Sequence, residues 1–227
     1  MGVRNIFSFG MALSSTRRPS ACSGDNLGYG GCVVGWNEGT AVLLQRLRLT
    51  DVVEEDDMAE KDYTDAIALL KADHRTVEEL FDKFESAKAA SRKQEIAQKI
   101  CTELKIHTMI EEEIFYPAFR GKIEDDTLDE AYVEHDGAKV LVNDIEAGSA
   151  EEDFYDAKVK VLSEEIKHHV HEEEAQKEGM FAQCRKTDVD LVALRDQMLA
   201  RKQELMAQAK SGGLPLAKPS AVRLIPA

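Results

Sequence analysis

The chain is predicted to be all-α: a four-helix bundle, followed by an additional C-terminal helix and preceded by an irregular N-terminal extension. Two observations carry this reading. Histidine and glutamate stand four apart twice, as His107 with Glu111 and His169 with Glu173, and single histidines, His74 and His135, sit in separate helix-like segments. Apolar residues then recur three, four and seven positions from each histidine, which puts them on the same helical face. Those stripes are Ile67, Leu70, Val77 and Phe81 around His74, Ile100 and Leu104 before His107, Leu128, Ala131, Ala138 and Val142 around His135, and Leu162 and Ile166 before His169.

The elements follow in chain order. Residues 1–57 hold 8 of the 14 glycines, no histidine and no helical period, and end in an acidic run before Met58. They are expected to be a disordered or misassigned extension, with Met58 as a candidate native start; Arg4 ahead of Ile6 to Leu13 gives only a weak targeting signal. The bundle occupies 58–185. Capping chemistry sets its helix starts: Asp62 or Thr64 for the first, Ser91 with Gln94 for the second, Thr127 with Glu130 for the third and Ser149 with Glu152 for the fourth. Gly121 and Gly148 are expected to end helices two and three in the left-handed region, and Pro117 to bend the end of helix two. A fifth helix over 186–210, opened by Thr187 with Asp190, carries Leu191, Leu194, Met198, Leu199 and Leu205. It suits either packing on the bundle or a homodimer contact. From 211 to 227, where 3 of the 5 prolines fall, a flexible tail is expected.

Helical rise, about 1.5 Å per residue, tests whether the histidines come level. His74 lies about 14 residues before the end of its helix and His107 about 16 after the next start, a mismatch of about 3 Å. Helices three and four match less well, with about 12 residues on one side and about 19 on the other if helix four starts near Ala150. That helix must overhang or begin later.

Four inward histidines and two inward glutamates need compensation, because an unpaired buried polar group costs about 2–7 kcal/mol even when neutral. No equal number of inward Lys or Arg is available. Mixed imidazole and carboxylate donors suit iron or manganese, and one glutamate on each of two helices could bridge two ions about 3.5–4 Å apart. His168 with Glu172 repeats the His169 with Glu173 spacing, but it would turn Glu165 and Val161 inward in place of Ile166 and Leu162, so the His169 register is preferred. Glu112, Glu113 and Glu174 read as surface charge.

Composition excludes several classes. A net charge of −14 over 227 residues repels phosphate, arguing against nucleic acid and anionic membrane, and no apolar run approaches the length of a membrane span. Four cysteines without CxxC spacing favour a reducing, cytoplasmic setting. Cys101 reads as a small buried apolar residue.

The residues His74, His107-Thr-Met-Ile-Glu111 followed by Phe115-Tyr116-Pro117, Glu134-His135, and His168-His169-Val-His-Glu172-Glu173-Glu174 resemble the hemerythrin-like HHE cation-binding domain over about residues 60–185. The resemblance implies an up-down-up-down bundle holding two non-haem iron ions (Fe2+/Fe3+) with a bridging oxygen species. It also implies that His74, His107, His135 and His169 are terminal ligands and that Glu111 and Glu173 are bridges. One position departs from the pattern: a second third-helix histidine, one turn after His135, is here Lys139. Water, Tyr132 three residues before His135, or nothing until substrate arrives are the alternatives for that position, and water is expected. The expected function is oxygen, peroxide or nitric oxide binding, reaction or sensing. The alternatives are a peroxide-consuming enzyme of the same site, or ferritin-like iron oxidation and storage. The latter asks for two Glu-x-x-His pairs, and only Glu165 with His168 fits.

Overall fold

The computed structural model describes residues 63–223. The extension 1–57, Met58, Asp62, Cys22 and Cys32 lie outside the described residues. Every regular element within them is helical: α1 (Ala66–Ser86), α2 (Ala90–Ile110), a π-helical turn (Glu111–Phe115), α3 (Tyr116–Phe119), α4 (Asp125–Ala147), α5 (Tyr155–Glu174), α6 (Met180–Cys184) and α7 (Leu191–Gly212).

Cross-helix pairs give the directions. Gln98 of α2 reaches Glu146 of α4 and Glu112, in the π-helical turn that continues α2, reaches His135 of α4. Asp144 meets Lys158 and Glu134 meets His169 between α4 and α5, and Phe84 meets Tyr155 while His74 meets Glu174 between α1 and α5. In each pair one number rises as the other falls, so these neighbours are antiparallel, and the tight link at 87–89 turns α1 back into α2.

All the apolar residues of the expected stripes are buried. They form two separate clusters. One gathers Ile67, Leu70, Ile110, Phe115, Phe119, Leu128 and Phe181; the other gathers Val77, Phe81, Phe84, Ile100, Val142, Tyr155 and Leu162. Between them lies a polar layer containing the four histidines and two glutamates, each no more than 5% exposed. Two dry plugs therefore isolate a charged slab. Phe119 sits wholly buried in the first plug against Phe115, and Phe119→Ala is expected to cost about 3–5 kcal/mol in urea unfolding.

Helix starts differ from the capping expectation. Asp65 caps α1 by accepting from the Ala68 amide at 2.9 Å, and Asp190 caps α7 by accepting from Val192 and Ala193. No side chain caps α2, α4 or α5. Gln94 was spent elsewhere: its amide accepts from Ala150 and donates to Gly148, tying the α4–α5 link to α2. Ser149 and Glu152 build a turn, not a helix, and α5 starts at Tyr155 after Phe154 takes a left-handed φ of 69°. The later start removes the register problem, since His169 is now 14 residues into α5 and His135 is 12 before the end of α4. Gly121 has the expected left-handed φ of 72°, but Gly148, at φ −90°, does not. After α5 the chain folds back tightly at Gly179, where an added Cβ would meet the Ala175 backbone at 2.6 Å.

α7 starts five residues later than expected and ends two later. It turns Leu194, Met198 and Leu205 into the first plug, packing on α1 and α2. The segment after it, expected to be a mobile tail, is laid along α2 and α4 by polar contacts. Lys105 Nζ donates to Leu214, Asn143 exchanges two hydrogen bonds with Ala217, and the Asp136 carboxylate accepts from the amides of Ser220, Ala221 and Val222 at 2.8, 2.6 and 2.7 Å. Burial opposes ionisation of Asp136, yet those amides, with Lys139, hold its pKa down to about 2. Among the described residues, no helix is long and apolar enough to cross a membrane.

Candidate metal centre

Each bundle helix brings one imidazole to the polar layer, and all four present Nε2 inward. His74 and His107 meet at 3.2 Å between their Nε2 atoms, and His135 and His169 at 3.1 Å. Two carboxylates join these pairs. Glu111 Oε2 lies 3.1 Å from His107 and 3.3 Å from His135, while Glu173 turns Oε2 to His74 at 3.3 Å and Oε1 to His169 at 3.7 Å. The structure thus collects all six residues singled out in the sequence. They form two donor groups, His74 with His107 and His135 with His169, that share Glu111.

The outward face of each ring has an acidic neighbour. His74 Nδ1 is 2.8 Å from Glu174, His135 Nδ1 3.0 Å from Glu112, His169 Nδ1 2.8 Å from Glu134, and His107 Nδ1 3.8 Å from Asp73. The three within hydrogen-bond distance, Glu174, Glu112 and Glu134, fix ring orientation and leave the inner nitrogen free to ligate; Asp73 lies beyond that distance and acts on His107 through its charge. Glu112 and Glu174 are therefore not mere surface charge, in contrast to the sequence expectation; Glu113 does face outward, paired with Arg201 of α7. Helical spacing could have flagged Glu112 and Glu174 as one residue beyond an inward ligand, but not their partners on other helices. Asp73 is further held by Lys202 of α7, so the C-terminal helix reaches the centre through Asp73 and His107.

Tyr116 is the residue that the sequence reading missed. Its hydroxyl is 3.2 Å from His135 Nε2, 3.2 Å from Glu173 Oε1 and 3.3 Å from Glu111 Oε2. Five residues after Glu111, it would point away in a regular α-helix, about 140° round. The π-helical turn absorbs the difference, closing a hydrogen bond from the Tyr116 amide to the Glu111 carbonyl. Pro117 follows at once; having no N–H and crowding the carbonyl four residues back, it disfavours a regular turn there. Tyr132, expected as the stand-in for the absent histidine, sends its hydroxyl to the Glu112 carbonyl and packs edge-on against Tyr116 at 5.2 Å. Lys139 turns away from the inner nitrogens to pair with Glu112 and Asp136. His168 is 63% exposed, on the solvent face with Glu165 and Val161.

Charge and hydrogen bonding test the fit to a cation. Glu111 Oε1 and Glu173 Oε2 are buried without a hydrogen-bond partner, and so are Asp73 Oδ2 and His107 Nδ1. Facing Nε2 atoms cannot both donate. Burial disfavours protonated imidazoles here, but Glu111 and Asp73 outweigh it and push His107 up to about 10, and Glu111 and Glu112 push His135 up to about 9. Glu111 is in turn held well below the usual carboxylate range by those two rings, against burial. Burial, then repulsion from Glu111 and Glu173, raises Tyr116 well above 10 and keeps it a neutral O–H. Without a cation the layer is balanced by protons; a divalent ion would replace them. Binding is expected to release about two protons per chain near pH 8, from His107 and His135, measurable by calorimetry in buffers of different ionisation enthalpy. The sign is fixed: stabilisation of the metal-free fold by these raised groups is complete below about pH 6.5 and is lost as pH climbs through their folded values.

Cys101 and Cys184 are buried free thiols, and burial pushes both up to about 12, which fits the packing role read for Cys101.

No curated protein matches the chain. A solved structure of a hemerythrin HHE cation-binding domain-containing protein from Mycobacterium kansasii shares the fold, with a TM-score of 0.55 at 21% identity over 66% of this chain and 94% of that one. The sequence profile of the hemerythrin HHE cation-binding domain matches residues 65–181, the stretch that supplies all six inward donors and just over half of the sequence. On that match, the chain belongs to the hemerythrin HHE cation-binding family.

Proposed function

We propose that this protein is a non-haem di-iron protein that binds or reacts with molecular oxygen, peroxide or nitric oxide. The observation that supports it is the pairing of two histidine couples through the shared Glu111, with one oxygen of Glu173 toward each couple. His74 and His107 would hold one ion, His135 and His169 the other, with Glu111 and Glu173 spanning both. Imidazole and carboxylate donors suit iron, and an iron pair would supply electrons to a small oxidant. The chain's own contribution is geometric and electrostatic. Glu174, Glu112 and Glu134 orient three of the rings, Asp73 sets a negative charge beside the fourth, and the apolar plugs above and below, including Phe181 stacked on His74 at 5.9 Å, keep bulk water away.

A peroxide-consuming reading is favoured by Tyr116, whose neutral hydroxyl stands at the His135 side, where Lys139 leaves a ligand position unfilled, and can donate a proton or hydrogen bond to an incoming oxygen species. Ferritin-like storage has less support, because Glu165 and His168 lie on the solvent face. A reducing cytoplasmic setting fits the free thiols.

The test is iron quantitation with visible spectra of anaerobically reduced protein before and after air, peroxide or nitric oxide. About two irons per chain and a spectral response to one of these ligands are expected; an iron-free protein with no response would refute the reading. Tyr116→Phe separates the branches: metal content should persist, while peroxide turnover, if present, should fall by about 10²-fold or more, as for other positioned proton donors.

A further inference from the structure

We propose that divalent cations enter the centre through the cavity between α4 and α5, with Glu134, His168 and Glu172 forming a transit site outside the buried donors. The inference rests on the metal-centre reading above and adds a route to it. His168 Nε2 lies 3.1 Å from Glu172 Oε1 and 3.5 Å from Glu134 Oε1, and the three residues can offer ligand atoms all within 4.8 Å of one another. Glu134 faces both ways: its other oxygen is 2.8 Å from His169 Nδ1. One carboxylate therefore connects a solvent-facing trio to a buried donor.

The cavity gives the trio a direction. It is a half-open space of about 400 Å3 lined by Glu130, Glu134, Glu172, Glu178, His169 and Glu173 among others, with no lysine or arginine; His168 is not part of the lining and joins it through its contacts to Glu134 and Glu172. Exposure falls along it, from exposed Glu130 and Glu178 through half-buried Glu134 and Glu172 to buried His169 and Glu173. At the inner wall Glu173 presents Oε1 3.7 Å from His169 Nε2, while Glu134 holds the other nitrogen of that ring. The cavity on the other flank of α5 is lined instead by Arg75 and Lys167 beside its acids, which cancels the attraction. A cleft walled by one sign of charge concentrates counter-ions and speeds their arrival. Three partly exposed donors hold an ion weakly enough to release it inward, where four imidazoles and two carboxylates compete for it.

The experiment mixes metal-free protein with Co2+ in a stopped-flow spectrometer and counts retained cobalt after desalting. His168→Ala/Glu172→Gln should take up cobalt roughly tenfold more slowly, with a flatter dependence on ionic strength and an unchanged final count. Glu134 is left intact because it also holds His169. Lys167→Gln, on the opposite flank, should load at the wild-type rate. If the double variant fills as fast as wild type, the route is wrong while the centre stands; if wild type retains no cobalt, both are wrong.

Discussion

Glu111→Gln should empty both ion positions at once, whereas His74→Ala should empty one. Glu111 is fully buried and is the donor common to both histidine couples; glutamine keeps its volume but loses the negative charge and offers an amide where a bridging carboxylate stood. Elemental analysis of desalted protein should give about two ions for wild type, about one for His74→Ala and close to none for Glu111→Gln. The same change removes the principal charge that raises His107 and His135, so proton release on adding metal should fall with it. Equal metal content in the two variants would mean that Glu111 does not bridge.

Lys202→Ala should be the most damaging single change outside the bundle helices. The Lys202 ammonium meets Asp73 where both side chains are at most 10% exposed. Removing one partner of a buried pair costs about 3–5 kcal/mol, because the remaining charge stays desolvated. Burial works against Asp73 ionising, and His107 with Lys202 outweighs it, so its pKa is lowered. A lowered carboxylate contributes stability that is complete above the unfolded value, about 3.9, and vanishes as pH falls through the folded one. Urea unfolding at pH 7 should therefore show the full loss for Lys202→Ala, and at acid pH the gap to wild type should narrow. The pair Asp73→Asn with Lys202→Met should recover much of the stability yet remove the negative charge beside His107, weakening metal retention by about 10–100-fold, as for comparable outer carboxylates. Recovery of stability with unchanged retention would reduce Asp73 to a structural role.

Much of this was legible in the sequence because a helix repeats on a fixed period. The stripes around His74, His107, His135 and His169 pointed inward whatever the neighbours did, and the preference for His169 over His168 followed from Ile166 and Leu162 against Glu165 and Val161. Interruptions of that period were not legible. Nothing local announces that Glu111–Phe115 widens into a π turn, and a regular helical count from Glu111 turns Tyr116 away from the centre. Nor does a capping pattern reveal that its glutamine will bond a distant loop, as Gln94 does. Partners on other helices, such as Asp73 for His107 or Glu112 for His135, depend on packing that no single stretch encodes.

The docking of residues 214–222 has a practical corollary. Asp136, which anchors that segment, also holds Lys139, and Lys139 in turn contacts the Glu112 that steadies His135. Proteolytic trimming of the final dozen or so residues, or a bulky fusion there, would leave the Asp136 carboxylate without its amide donors and free Lys139 to reposition. Preparations of mixed C-terminal length would then contain mixed metal environments, visible as spectral heterogeneity confined to the His135 side.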